Sequence, residues 1–142
     1  MKLESVLASK GPRVFTIGPE LLIADVAAQL TEHNIGAIIV VEGPGKPVGI
    51  LSERDLVREA SRDPQFLTRT VSAVMTRDIT CGSPSDDVEA VLQAMTNGHF
   101  RHLPVLDGGI LVGVVTIGDL VKAQLNQYKG DLDTLQTQLM DK

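Results

Sequence analysis

Apolar and polar positions along the chain follow one order that occurs twice. Val14 to Ile17 reads as a short strand ended by Gly18-Pro19, and Ile23, Val26, Ala27 and Leu30 then fall at helical spacing on one face. Ala37 to Val41 is a continuous apolar run suited to a buried strand. Glu42 to Lys46 forms a Gly- and Pro-rich turn, and Val48 to Leu51 returns as a partner strand. Ser52 opens a second helix through about Ala60, with Asp55 in its first turn. The unit is β-α-β-β-α.

Adding 65 to the residue number carries Ile23, Val26, Ala27, Leu30, Ile35, Ile38 and Val40 onto Val88, Val91, Leu92, Met95, Phe100, Leu103 and Val105, all apolar. After a turn one residue shorter, an offset of 64 carries Gly49, Ile50, Leu51, Asp55, Leu56 and Val57 onto Gly113, Val114, Val115, Asp119, Leu120 and Val121. The repeats span 10–62 and 72–125, with a helical tail over 126–142. Arg62 to Gln65 ends the first unit, and Val71 to Met75 reads as a helical turn leading into the second. Each half is too small to bury much alone, so residues 1–142 are expected to form one α/β (α+β) module, two repeats packed with pseudo-two-fold symmetry.

Composition narrows the function. Phe15, Phe66, Phe100 and Tyr128 are the only aromatic residues and there is no Trp. The core must come from Val, Ile, Leu and Ala, and any ligand base is expected to be gripped by aliphatic side chains. A net charge of -5 gives no global attraction for nucleic acid. The single Cys81 cannot form an internal disulfide, Met1 to Ser5 lacks the apolar run of a signal peptide, and no apolar stretch is long enough for a bilayer. A cytoplasmic protein without membrane contact is expected. At 142 residues there is no room for a catalytic domain beside a regulatory one.

The sharpest signal is Gly49-Ile-Leu-Ser52-Glu-Arg-Asp55 beside Gly113-Val-Val-Thr116-Ile-Gly-Asp119, a strand running directly into a helix with a hydroxyl residue and, three later, a carboxylate. Such a pair can simply cap the helix start. A helix start is equally an anion site, where the hydroxyl and free N–H groups hold a phosphate and the Asp accepts from a ribose diol. A cap needs no neighbouring arginine, yet Arg54 adjoins the first acid and Arg101-His102 lies one strand from the second. Nucleotide binding is favoured.

These two motifs, preceded by Ile35-Gly36-Ala37-Ile-Ile-Val40-Val41 and by Phe100-Arg101-His102-Leu103-Pro104-Val105, resemble the halves of a tandem cystathionine-beta-synthase (CBS) domain pair. The likeness runs from Lys10 to about Leu125 and is strongest to small bacterial proteins made of a CBS pair alone. The resemblance implies two clefts between the repeats for AMP, ADP, ATP or NAD(H), with S-adenosylmethionine ranked behind them, and no catalytic cofactor. It assigns Asp55 and Asp119 to ribose hydroxyls, and Ser52 and Thr116 to phosphate or the adjacent sugar oxygen. Gly36 and Ala37, with their counterparts Arg101 and His102, would line the strand edge of each cleft. Thr16 and Thr80 are further contacts, and Lys10, Arg54 and Arg101 are the cations for phosphate. Because copy one has Gly36-Ala37 where copy two has Arg101-His102, the cleft beside Asp119 is expected to hold a phosphorylated ligand more tightly.

Other features suggest only packing. Cys81 reads as a small core residue on a short strand, and His33 as an exposed residue late in a helix. His33, His99 and His102 have no metal-ligand spacing with Cys, and no nucleophile and base stand together, so neither a metal site nor an enzyme is expected. Val121, Leu125, Tyr128, Leu132, Leu135 and Leu139 step by fours and threes in a heptad-like stripe, which Gly130 either interrupts or leaves intact. A homodimer braced by this tail is expected, the family often forming flat dimers, with packing back on the same chain as the alternative. The favoured function is a regulatory module that senses an adenosine ligand and signals to an effector protein. The alternative is a ligand-free scaffold for interaction or dimerisation.

Overall fold

Ile23, Val26 and Leu30 are buried along one face of a helix, and 65 residues later Val88, Val91 and Met95 are buried in the same way. The computed structural model, which describes residues 1–11 and 13–140, sets these helices in a repeated frame. The elements are α1 (Leu3–Lys10), β1 (Thr16–Ile17), α2 (Ile23–His33), β2 (Ala37–Val41), β3 (Pro47–Ser52), α3 (Glu53–Arg62), a 3-10 turn (Phe66–Thr68), α4 (Val71–Val74), α5 (Val88–Gly98), β4 (His102–Asp107), β5 (Ile110–Thr116) and α6 (Ile117–Met140). Both α2 and α5 end on a left-handed residue, Asn34 and His99, the conformation that closes a helix C-terminus.

The sheets are unequal. In the first, β1 runs parallel to β2, with Ile17 opposite Val40, and β2 pairs antiparallel with β3. The second contains only the antiparallel pair β4 and β5. The expected first strand of copy two shrinks to a single bridge between Gly82 and Val105, in the same register as Ile17 and Val40. Thr16-Ile17 is β-branched, whereas Cys81-Gly82-Ser83-Pro84 combines poor strand formers with a residue that cannot donate. Cys81 is therefore neither on a strand nor in the core. It is exposed, with enough local burial to push its thiol pKa up.

Each repeat has its own core, and each core is closed by a segment that precedes the other repeat. Leu3 and Val6 of α1 pack with Val88, Val91, Met95, Leu103, Val105, Val115 and Leu120 of the second repeat. Val71 and Met75, from the stretch between repeats, pack with Ile17, Ile23, Val26, Leu30, Ile38, Val40 and Leu51 of the first. The hydrogen bonds correspond. Leu3 N–H donates to Asp86 O and Glu4 N–H to Pro84 O, as Val71 N–H does to Leu21 O and Ser72 N–H to Pro19 O. Two glycines admit these straps. A Cβ on Gly49 would stand 2.6 Å from Met75 Sδ, and one on Gly113 2.5 Å from Leu7 Cδ2.

The straps differ in length. Leu3 and Val71 are equivalent by these bonds, but Ile17 follows Leu3 by 14 residues and Gly82 follows Val71 by 11. The surplus goes into α1, which spans eight residues where α4 spans four, and Lys10 is its last. Between the repeats, Ile39 and Pro104 are buried at equivalent strand centres, and the hairpin tips join where Leu111 N–H donates to Gly45 O at 2.9 Å.

The tail continues α6 as one helix of 24 residues through Gly130, so the break does not occur. Residues 126–140 are all exposed, which rules out packing back on the same chain over that stretch, and 141–142 lie outside the described residues. Because α1 completes the core of the second repeat, truncating fully buried Leu3 by Leu3→Ala is expected to lower unfolding free energy by about 2–5 kcal/mol in urea denaturation. A loss below about 1 kcal/mol would mean that α1 is only peripheral.

Candidate functional site

Both strand-to-helix junctions form complete capping boxes. At the start of α3, Asp55 N–H donates to Ser52 Oγ at 3.2 Å and Ser52 N–H donates to Asp55 Oδ2 at 2.9 Å. At the start of α6, Asp119 N–H donates to Thr116 Oγ1 and Thr116 N–H to Asp119 Oδ2, both at 3.0 Å. The capping bonds engage Oδ2 of each carboxylate and leave Oδ1 as an acceptor. Each carboxylate also sits on the positive end of a helix, a position that favours negative charge.

Two clefts flank these caps, of about 810 Å³ beside Asp55 and about 390 Å³ beside Asp119, sizes that suit small-molecule ligands. The repeats cross in forming them. The Asp55 cleft is lined by Ser52, Arg54 and Asp55 of the first repeat, together with Thr80 and Arg101 of the second. The Asp119 cleft is lined by Thr116 and Asp119 of the second repeat, together with Lys10 and Ala37. Gly36 and His102 line both.

This crossing corrects the expected charge distribution. Arg101 lies in the Asp55 cleft, not beside Asp119, because the edge of each hairpin reaches across to the opposite repeat. The Asp55 cleft holds Arg54, Arg58 and Arg101 against Glu53, Asp55 and Asp78, a formal balance. The smaller cleft holds Lys10 and Arg13 against Asp119 alone.

Thr16 is exposed and lines neither cleft. The strand register explains this, since Ile17 corresponds to Gly82 and the counterpart of Thr80 is Phe15. Phe15 does line the Asp119 cleft. His33 stacks on it with ring centroids 3.8 Å apart and planes 18° apart, so His33 is half-buried rather than exposed. The Arg13 guanidinium lies 5.8 Å from the same ring. Phe100 lines the other cleft, so the walls are not purely aliphatic as composition suggested.

Lys10, at the end of the longer strap, meets Asp119. Its Nζ donates to Asp119 Oδ2 at 2.7 Å and to Val114 O at 2.8 Å. Burial pushes the Asp119 carboxyl up, but the ammonium and the hydrogen bonds from Thr116 outweigh it, and the group titrates below its ordinary value. Among the described residues Asp55 pairs with no lysine, and Arg58 lies 3.9 Å from its Oδ1. His102 also titrates below its ordinary value, but for an imidazole burial itself acts in that direction. Burial, with Lys10 and Arg101 nearby, holds its imidazole below the usual pKa against the opposing pull of Glu53 and Asp119.

The CBS domain family profile matches residues 8–62 and 71–126. The CBS domain-containing protein YhcV of Bacillus subtilis is 33% identical over 124 residues, 87% of this chain and 88% of the relative. The crystal structure of the CBS-domain containing protein ATU1752 from Agrobacterium tumefaciens superposes with a TM-score of 0.83 at 36% identity, covering 87% of this chain and 99% of that one. The CBS domain pair of protein MJ0100, crystallised with 5′-methylthioadenosine and S-adenosyl-L-methionine, has the same fold, with a TM-score of 0.78 at 23% identity over 89% of this chain and 98% of that one.

A carboxylate whose folded pKa is depressed adds stability that is present above its unfolded value and lost as pH falls through the folded one. Lys10→Met is therefore expected to raise the Asp119 titration seen by carboxyl NMR. It should lower stability at neutral pH by up to about 1 kcal/mol, since the pair is partly exposed. That difference should shrink as pH falls below the ordinary carboxylate range. A difference that is the same at neutral and strongly acid pH would contradict the role of the pair.

Proposed function

The chain belongs to the CBS-domain family as a tandem pair, and from this premise we propose that it is a regulatory module whose two clefts bind an adenosine-containing ligand and report occupancy to a partner protein. The observation that carries the reading is the duplicated cap, which presents a carboxylate oxygen and a helix N-terminus to each of two clefts. The bound 5′-methylthioadenosine and S-adenosyl-L-methionine of MJ0100 support the adenosine class.

In this reading the Asp55 and Asp119 Oδ1 atoms accept from ribose hydroxyls, while Ser52 and Thr116 face the sugar or its phosphate. AMP, ADP, ATP and NAD(H) are the leading ligands, ahead of S-adenosylmethionine. The Asp119 cleft remains the preferred phosphate site, now because Lys10 and Arg13 give it a surplus of positive charge. The larger cleft has room for a more extended ligand. The module acts in the cytoplasm as a sensor rather than a catalyst, and the ligand shifts the packing of the repeats by binding one arrangement better than another.

A second copy of the chain covers the tail. Leu125, Tyr128, Leu132, Leu135 and Leu139 are each more than half exposed, on a segment that projects about 22 Å beyond Leu125. A lone helix of this length containing Gly is marginal in water, and in the heptad register of this stripe Gly130 falls on the outward side, where it does not obstruct pairing.

The scaffold alternative draws on the caps as well, since both boxes are complete without a ligand. Isothermal titration with AMP separates the readings. On the sensing account the protein binds AMP and Asp119→Ala weakens it at least about tenfold, the effect of losing a charge-assisted bond of roughly 1.5–3 kcal/mol. On the scaffold account there is no heat, and Asp119→Ala loses only the stability of a cap, roughly 0.5–2 kcal/mol. Sedimentation should find a dimer that Leu132→Lys converts to monomer; a monomeric parent protein would rule out the tail contact.

A further inference from the structure

The pseudo-two-fold relates Gly36-Ala37 to Arg101-His102, and both edges meet where the clefts adjoin. His102 meets Gly36, which has no side chain, and its own counterpart is the small Ala37. A Cβ on Gly36 would stand 3.4 Å from His102 Nε2, so the imidazole rests against bare backbone. A fully symmetric pair would offer each cleft its own residue at this place. Here a single imidazole, at the first position of β4 and opposite Thr116 on β5, borders both.

The charges that face His102 also come from both sites. Glu53 stands at the start of α3 on the Asp55 side, and Asp119 on α6 and Lys10 on α1 stand on the other, with Arg101 immediately before it in the chain. Burial and the two cations favour the neutral ring, with the two carboxylates opposing them. The partition is thus a titratable group that one added negative charge on either side would favour protonating.

We propose that His102 couples the two clefts: an anionic ligand in one draws a proton from solvent onto the shared imidazole, and the imidazolium strengthens anion binding in the other. The proton returns to solvent when the ligands leave. This rests on the reading that the clefts take adenosine ligands, and adds that their occupancies are linked by charge. The reciprocal character of linkage makes the effect equal in both directions. A ligand without a phosphate adds no charge, so adenosine should show no coupling.

The test uses AMP and adenosine as probes. Asp55→Ala disables the larger cleft without removing any charge that faces His102. Affinity of the Asp119 cleft is followed through the Thr116 amide by NMR in four proteins: wild type, Asp55→Ala, His102→Gln, and the two substitutions combined. The expected result is that AMP binds the Asp119 cleft at least about fivefold more weakly in Asp55→Ala than in wild type, that adenosine binding is unchanged there, and that the AMP difference vanishes in the His102→Gln background. In the wild-type protein, which needs no variant to fold, AMP should move the His102 imidazole titration to higher pH. Equal AMP affinities with and without the Asp55 cleft, coupling that survives His102→Gln, or a His102 titration unmoved by AMP would each overturn the coupling. Absence of AMP binding in all four proteins would overturn the ligand reading beneath it.

Discussion

Neither half of this protein can close its own core. The first repeat leaves Ile38, Val40 and Leu51 open until Val71 and Met75 cover them, and the second depends likewise on Leu3 and Val6. Because each strap precedes the opposite repeat in the chain, the halves are held together by their own hydrophobic burial and not by surface contact alone. The glycines at 49 and 113 follow from this constraint, since the straps approach those strands too closely for a side chain. The straps also set the difference between the clefts. An extra turn of helix in α1 brings Lys10 to Asp119, whereas α4 is shorter and among the described residues no lysine reaches Asp55.

Symmetry of the frame and asymmetry of its contents therefore have separate origins. The frame comes from the repeated hairpin and from the caps at Ser52 and Thr116, where the same short-range hydrogen bonds start both helices. The contents come from few substitutions: a lengthened strap, Phe15 where the other copy has Thr80, and Gly36-Ala37 where the other has Arg101-His102. One group, His102, faces charges from both sides. Burial, with cations from both sides of the partition, holds its imidazole below the usual pKa against two opposing carboxylates.

The repeat, its element order and its paired caps were legible because they depend on local periodicity and on residues three apart. Which cleft a strand edge would serve was not legible. Arg101 is one strand from Asp119 in sequence logic, yet its position across the axis is a property of how the repeats meet. Thr16 stands one residue from the position equivalent to Thr80, and a shift of one residue on a strand reverses the face, so Phe15 occupies the cleft instead. The register offset of 65, carried through the first strands, would have paired Phe15 with Thr80. The stack of His33 on Phe15 and the exposure of Cys81 depended on contacts and on a strand that did not form, neither of which a local pattern reports.

The central claim is that the capping carboxylates also hold the ribose of an adenosine ligand. A crystal structure of the protein grown with AMP tests it most directly. The account predicts nucleotide in the clefts with ribose hydroxyls within hydrogen-bond distance of Asp119 Oδ1, and of Asp55 Oδ1 where the second cleft fills. Clefts free of nucleotide at saturating AMP, or a nucleotide bound elsewhere with both carboxylates engaged only in their caps, would contradict it.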